Sequence, residues 1–361
     1  NKDAAVRDGI WVAQSLLGVG RVHYLPGLRG SVHEERAAPV DGDDVGGTAK
    51  HATCVPFALC SIDDDIVLAE VSLQPVAYQL NLGKGETENL CYADEKKAIF
   101  AIGIRNAAVE GPLIDTKHIQ VYDMEKRQVT EIYPVKGNCY VTQAVPYQEG
   151  IVFVQYENAL VDTKWSIVYT DGESQEHLDS GRCDSYESIP GIGLMGESVV
   201  YTYENTGKSY TWGVKKLSDM TIQNLFSEHG GKCYTPLYTN GENYCFLIGK
   251  EDSEFATMII GDLNGETWQY DLTQRVDSFG ITKDYAVCSV SDGRDNTHLV
   301  KVQLRDGSSE VLEKTEPMYM LTGGSGQTAM YVSTGLQAYM TDITGDSTKI
   351  IEFPDDSEYH Q

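Results

Sequence analysis

Tyr156-Glu157-Asn158 recurs as Tyr203-Glu204-Asn205, 47 residues further on, and each copy closes an apolar run. An aromatic ring beside a carboxylate is the equipment of a binding surface: the ring stacks and the acid accepts hydrogen bonds. Later stretches of the same kind, 249–255 and 291–298, are again acidic and polar. The residues read as a binding rim are Tyr156, Glu157, Asp162, Tyr203, Glu204, Glu251, Asp252, Asp292, Arg294 and Asp295. Such a rim suits a protein or a glycan ligand. The alternative use of these carboxylates is catalytic, a lyase or hydrolase of glycans, which needs two of them converging across a pocket as general acid and base.

Other chemistry finds little support. Gly191-Ile192-Gly193-Leu194-Met195-Gly196 fits GxGxxG, but a dinucleotide fingerprint needs a following helix, and Val199-Val200-Tyr201 reads as a strand. A tight turn is the expectation there. Asp262-Leu263-Asn264-Gly265-Glu266 resembles part of the Asp-box of sialidase-type repeats but lacks its Asp-x-Gly core, and Asn-Gly predicts a type I′ hairpin. The glycine run 323–326 has the wrong spacing for a GxSxG elbow. The eight histidines show neither HxH nor HExxH spacing. Asp41–Asp44 and Asp63–Asp65 read as solvated turns, with calcium at a loop or in a central channel as the ion that the acidic excess would admit. No cofactor is expected. None of the eight cysteines forms a CxxC, and most sit in strand-like contexts, so buried free thiols are expected; Cys54 with Cys60, and Cys183 with Cys233, are the pairs to check.

The elements that carry these residues repeat. Short acidic or glycine-bearing turns follow Leu25, Leu82, Met124, Thr170, Leu217, Leu263, Leu304 and Ile343, in steps of 39 to 57 residues that average about 45. That step is the length of a four-stranded propeller blade. The second strands are the clearest, at Ile99–Ile104, Ile151–Tyr156, Val199–Tyr203, Tyr244–Ile248, Ala286–Val290 and Met330–Ser333, with earlier ones at Ile10–Ala13 and Ile66–Val71. Several are apolar on both faces, as a strand sandwiched between neighbouring sheets must be. The fold class is therefore all-β: one β-propeller over residues 1–361, with eight blades favoured and seven the alternative, and a polar loop insertion near 26–50. The second unit lacks a clear outer strand.

Fifty-four acidic against 28 basic residues give a net charge of −26. That disfavours nucleic acid, and no nucleic-acid partner is expected, since phosphate binding needs clustered Lys and Arg. It equally disfavours an anionic membrane surface, and no apolar run reaches the length of a membrane span. The expectation is a monomer.

Gly9-Ile10-Trp11-Val12, Arg21-Val22-His23-Tyr24-Leu25, Lys50-His51-Ala52-Thr53-Cys54 and the strand from Ile66 together resemble the start of exported propeller lipoproteins of gut-type Firmicutes, within the TolB-like class. The resemblance implies a lipid-anchored protein outside the cytoplasm, and the loop face of a rigid array, with its tyrosines and acids, favours a non-enzymatic binding protein. The first residue, Asn1, is in keeping with an upstream segment having been removed.

Overall fold

The computed structural model describes residues 79–94, 96–105, 114–157, 162–206, 210–249, 255–272, 275–291, 297–311, 318–325, 328–333, 337–342 and 347–352. These form antiparallel strands, one short 3-10 turn at Tyr186–Ser188 and no α-helix. The strands fall into successive groups of four. The first is β1 (Thr87–Ala93), β2 (Lys97–Arg105), β3 (Ile114–Asp123) and β4 (Gln128–Pro134). The second is β5 (Tyr140–Tyr147), β6 (Gly150–Glu157), β7 (Thr163–Thr170) and β8 (Gln175–Cys183). Then come β9 (Ile192–Met195), β10 (Ser198–Asn205), β11 (Thr211–Ser218) and β12 (Thr221–His229). A fourth group holds β13 (Lys232–Thr239), β14 (Asn243–Gly249), β15 (Ala256–Asp262) and β16 (Thr267–Asp271). The fifth is β17 (Arg275–Ile281), β18 (Tyr285–Ser291), β19 (Thr297–Gln303) and β20 (Ser309–Val311). The sixth is β21 (Met318–Ser325), β22 (Thr328–Ser333), β23 (Gln337–Asp342) and β24 (Ser347–Glu352).

Within every group each strand pairs with the next, and one bridge, from Asp115 of β3 to Tyr140 of β5, joins the first two groups. The first strands of successive groups pack beside one another, β1 with β5, β5 with β9, β9 with β13, β13 with β17 and β17 with β21. They line the inside, and the polar fourth strands lie outermost. Second strands are buried on both faces: Ala98 to Ile102 of β2 and Ile151 to Val154 of β6 are all at 2% exposure or less. This is the blade plan that the repeat predicted. One turn departs from it. Gly83–Gly85 precedes β1, whereas the turns after Met124, Thr170, Leu217, Leu263 and Leu304 separate third from fourth strands. The strand that follows Leu82 is therefore not an outer strand: it is β1, paired with β2 of the same group. The turns after Leu25 and Ile343, and the insertion near 26–50, lie outside the described residues.

Alternation of strand direction sorts the connections into two ends. First-to-second and third-to-fourth hairpins share one end; second-to-third loops and the links between blades share the other. Carboxylates and amides cap the hairpins. Asp94 Oδ1 accepts from the N–H groups of Lys96 and Lys97, and Asn240 Oδ1 from those of Glu242 and Asn243. Asp123, Asp171 and Asp262 accept backbone N–H groups in the same way. The Asn264-Gly265 turn is a hairpin of a different type from the expected I′. Leu263, Asn264 and Gly265 form a three-residue loop between Asp262 and Glu266, and only Gly265 takes a positive φ, at 89°. Asp262 Oδ1 accepts the N–H of Asn264 within that loop and of Glu266 just after it. The GxGxxG segment is β9 plus its turn. A Cβ at Gly191 would stand 2.6 Å from the Leu237 nitrogen, so close approach of β13, not phosphate, demands glycine.

Hydrogen bonds from turn N–H groups hold the Asp123 carboxyl below its usual value, chiefly through Lys126, and that of Asp171 chiefly through Ser174. Both groups favour the folded state only while ionised. Their contribution is complete above the ordinary carboxylate value and is lost as pH falls through the depressed folded value. Thermal melts between about pH 5 and about pH 2 should therefore show a falling Tm. Asp171→Asn, which keeps the acceptor without the charge, should lose less Tm than the parent across that range.

Candidate functional site

At the end of the second blade where second-to-third loops emerge, β6, β7 and β8 bound a cleft of about 320 Å³. Its lining is three rows across the sheet. Gln155, Ser166 and Ser180 make one row and Glu157, Lys164 and Arg182 another; between them run Tyr156, Trp165 and Gly181. Strand alternation turns the middle row to the opposite side of the sheet from the two polar rows. That side is packed: Tyr156 and Trp165 are 1% and 2% exposed. A Cβ at Gly181 would lie 2.4 Å from Trp165 Cζ2, so glycine there lets the indole lie flat against β8.

Arg182 is held at the cleft edge by Asp162, its Nη1 standing 2.9 and 2.6 Å from the two carboxylate oxygens. Asp162 reaches it from a left-handed conformation, φ 50°, with its N–H bonded to the Asp184 carbonyl at 3.0 Å. Glu157 and Lys164, both exposed, stand directly opposite each other in the β6–β7 register. Three residues expected at the rim are thus gathered here: Tyr156 and Glu157 in the lining, and Asp162 on Arg182. Lys164, Arg182 and Gln155 were missed, because only the cross-strand register brings them to Glu157.

Tyr156 and Tyr203 are not equivalent, contrary to the sequence reading. Gly150 and Ser198 each open a second strand after a two-residue loop, Gln148-Glu149 and Gly196-Glu197. Counting from there, Tyr156 corresponds to Glu204 and Gln155 to Tyr203, a spacing of 48 where the motif repeats at 47. A slip of one residue reverses the side of the sheet. Tyr156 is consequently core rather than rim, tilted against Tyr140 with ring centroids 5.4 Å apart. Tyr203 is half-buried on the other side, its ring under the Lys215 ammonium at 4.5 Å.

Glu204 is fully buried, where a rim acid was expected. Its carbonyl accepts Trp165 Nε1–H of the preceding blade at 3.1 Å, and its Oε2 accepts the Cys233 N–H of the following blade at 3.1 Å. It joins three blades. Burial pushes its carboxyl above the ordinary value, only partly offset by hydrogen bonds from the Tyr210 hydroxyl and the Cys233 N–H. Glu251, Asp252, Asp292, Arg294 and Asp295 lie outside the described residues. So do Asp41–Asp44, Asp63–Asp65, Cys54 and Cys60. Cys183 and Cys233 are free buried thiols, as are Cys139, Cys245 and Cys288. Among the described residues, no three His, Cys, Asp or Glu side chains are set to hold a metal. Nor is any helix among them long and apolar enough to cross a membrane.

Replacing Trp165 with Phe leaves the buried Glu204 carbonyl without its donor and should cost about 1–3 kcal/mol in urea unfolding. Glu204→Gln keeps an acceptor for Cys233 and removes the charge. A carboxyl with a raised folded value destabilises the fold progressively as pH climbs above 4.5. Glu204→Gln should match the parent Tm below that point and exceed it at neutral pH, whereas Glu204→Ala should fall below the parent throughout.

No protein-family model matches the chain, and no curated protein matches it. Among solved structures it is similar to a prolyl endopeptidase, at 13% identity over 74% of this chain and 42% of that one, with a TM-score of 0.53. The β-propeller domain of the Trilobed protease from Pyrococcus furiosus aligns at 14% identity over 79% of this chain and 87% of its own, TM-score 0.49. The acylaminoacyl peptidase of Pyrococcus horikoshii aligns at 14% identity, TM-score 0.46, over 74% of this chain and 44% of its own. This chain thus spans less than half of the prolyl endopeptidase and of the acylaminoacyl peptidase. At such identities the likeness is one of fold. Together with the four-stranded antiparallel groups it makes the chain an all-β propeller.

Proposed function

We propose that this chain is a binding propeller without catalytic chemistry of its own, holding a protein or a glycan on the end where the second-to-third loops emerge. The observation that carries this reading is the cleft bounded by β6, β7 and β8. It is concave, polar on both rows, and built on three paired strands rather than on loops alone, so its shape is set before any ligand arrives. Preformed geometry lowers the ordering cost of association. We further propose that the protein belongs with the exported, lipid-anchored propellers of the TolB-like class. Its acidic composition and the resemblance of its first segments support that placement. Fractionation of the source cell tests it, and a pool confined to the cytosol would refute it.

For the binding reading, the purified 361-residue chain is applied to glycan and peptide arrays. The hit is then titrated against Glu157→Ala/Lys164→Ala and against Glu125→Ala/Glu173→Ala, which lies on the hairpin end. The first pair should weaken binding at least about tenfold, or ~1.4 kcal/mol, with Tm unchanged. The second pair should leave affinity as it was. The opposite pattern would assign the ligand to the hairpin end.

A further inference from the structure

We infer that the cleft on the second blade takes an uncharged, hydroxyl-rich ligand, a neutral saccharide, with Gln155 as its central anchor. This rests on the binding reading above and narrows it to one ligand chemistry.

Charge balance is the first ground. In a chain of net charge −26, this cleft is neutral: Arg182 is engaged on Asp162, and Glu157 faces Lys164 across the strand pair. An anionic ligand would have to displace Asp162 from Arg182 and forfeit that charge-assisted contact in exchange for the new one. A cationic one would meet Lys164 directly opposite Glu157, a like charge beside the carboxylate it seeks. A neutral ligand meets neither obstacle.

The second ground is a polar group without a partner. Gln155 lines the cleft, and its Oε1 is sealed from solvent with no hydrogen-bond donor among the described residues. A buried amide left unsatisfied costs free energy, which is recovered when the amide turns toward the cleft and bonds a ligand there. The oxygen and nitrogen of a glutamine amide exchange places by a flip, so the ligand group that fits must serve in either orientation. A hydroxyl both donates and accepts and meets that condition; a carboxylate or an ammonium meets only one half of it. Ser166 and Ser180 continue the same row with hydroxyls of their own. Three side chains in line across three strands are therefore set for a ligand carrying several hydroxyls. Strand spacing puts neighbouring members of the row about 5 Å apart. That suits hydroxyls on alternate carbons of a sugar ring, since those on neighbouring carbons stand closer together.

The aromatic residues do not supply a stacking platform, since Tyr156 and Trp165 are turned away and buried. Recognition is by hydrogen bonds, which favours modest affinity and little dependence on salt.

The test uses the full chain and an array of neutral oligosaccharides beside sialylated and sulfated ones and a panel of acidic and basic peptides. The best neutral hit is titrated against Gln155→Ala and Ser180→Ala, with Tm as the folding control. Expected are binding to neutral glycans, a Kd that changes less than about twofold between about 0.05 and 0.5 M NaCl, and a loss of at least tenfold in each variant. Ser180 is exposed, so its variant keeps the test decisive if Gln155→Ala fails to fold. Binding confined to charged glycans or to peptides would overturn the inference while leaving a binding propeller standing. So would neutral-glycan binding that survives both substitutions yet is lost in Glu157→Ala/Lys164→Ala. Absence of any ligand on the arrays would count against both readings.

Discussion

Burial of both faces of each second strand is the constraint on which the rest of this structure depends. A sheet in a sandwich keeps one face for solvent, but here β2, β6, β10 and β14 are covered on both sides by adjoining strands and neighbouring blades. Their sequences, such as Ala98 to Ile102 and Tyr244 to Ile248, are continuous apolar runs in consequence. Little of a blade's middle is then open to a ligand. Chemistry is confined to strand ends, loops and the outer strands, and that is where the cleft beside Glu157 and Arg182 occurs.

The same constraint explains the polar ties between blades. Asp179 on β8 accepts from the Tyr201 hydroxyl at 2.9 Å and pairs with Lys215 at 2.6 Å, tying the outer strand of one blade to the next. Glu204 and Trp165 make a second tie nearer the loop end, and Gln143 a third, its side chain bonded to the Pro190 carbonyl and the Ile192 N–H. The Glu204–Trp165 tie lies where a carbonyl and an indole N–H would otherwise be sealed from water. The buried unpaired group costs more than the bond returns, so satisfied junctions specify how the blades meet as well as holding them.

Acidity has a more dispersed meaning than a single charged funnel. Asp94, Asp123, Asp171, Asp262 and Asp306 each bond backbone N–H groups of their own turn. These are local capping duties repeated blade by blade, and most fall on the hairpin end, away from the cleft. Net charge consequently says little about the site, whose own charges cancel.

The sequence by itself determined the blade. Apolar doubled strands, turn residues at a near-constant step and the order of four strands per unit are all short-range properties, and they placed β6, β10, β14 and β18 correctly. It also located the end of the blade where the cleft lies, through Glu157 and Asp162. What it could not determine was which side of a sheet a residue faces at a strand's end. The Tyr-Glu-Asn motif recurs at 47 residues while the strands recur at 48, and that one-residue difference buries Glu204, covers Tyr203 with Lys215 and turns Tyr156 into the core. Register is settled by where the preceding two-residue loop begins and by how neighbouring strands pair, which are contacts between residues far apart in the chain. Only the tertiary structure, by setting Gln155, Ser166 and Ser180 side by side across three strands, made the lining of one cleft out of residues that share no motif.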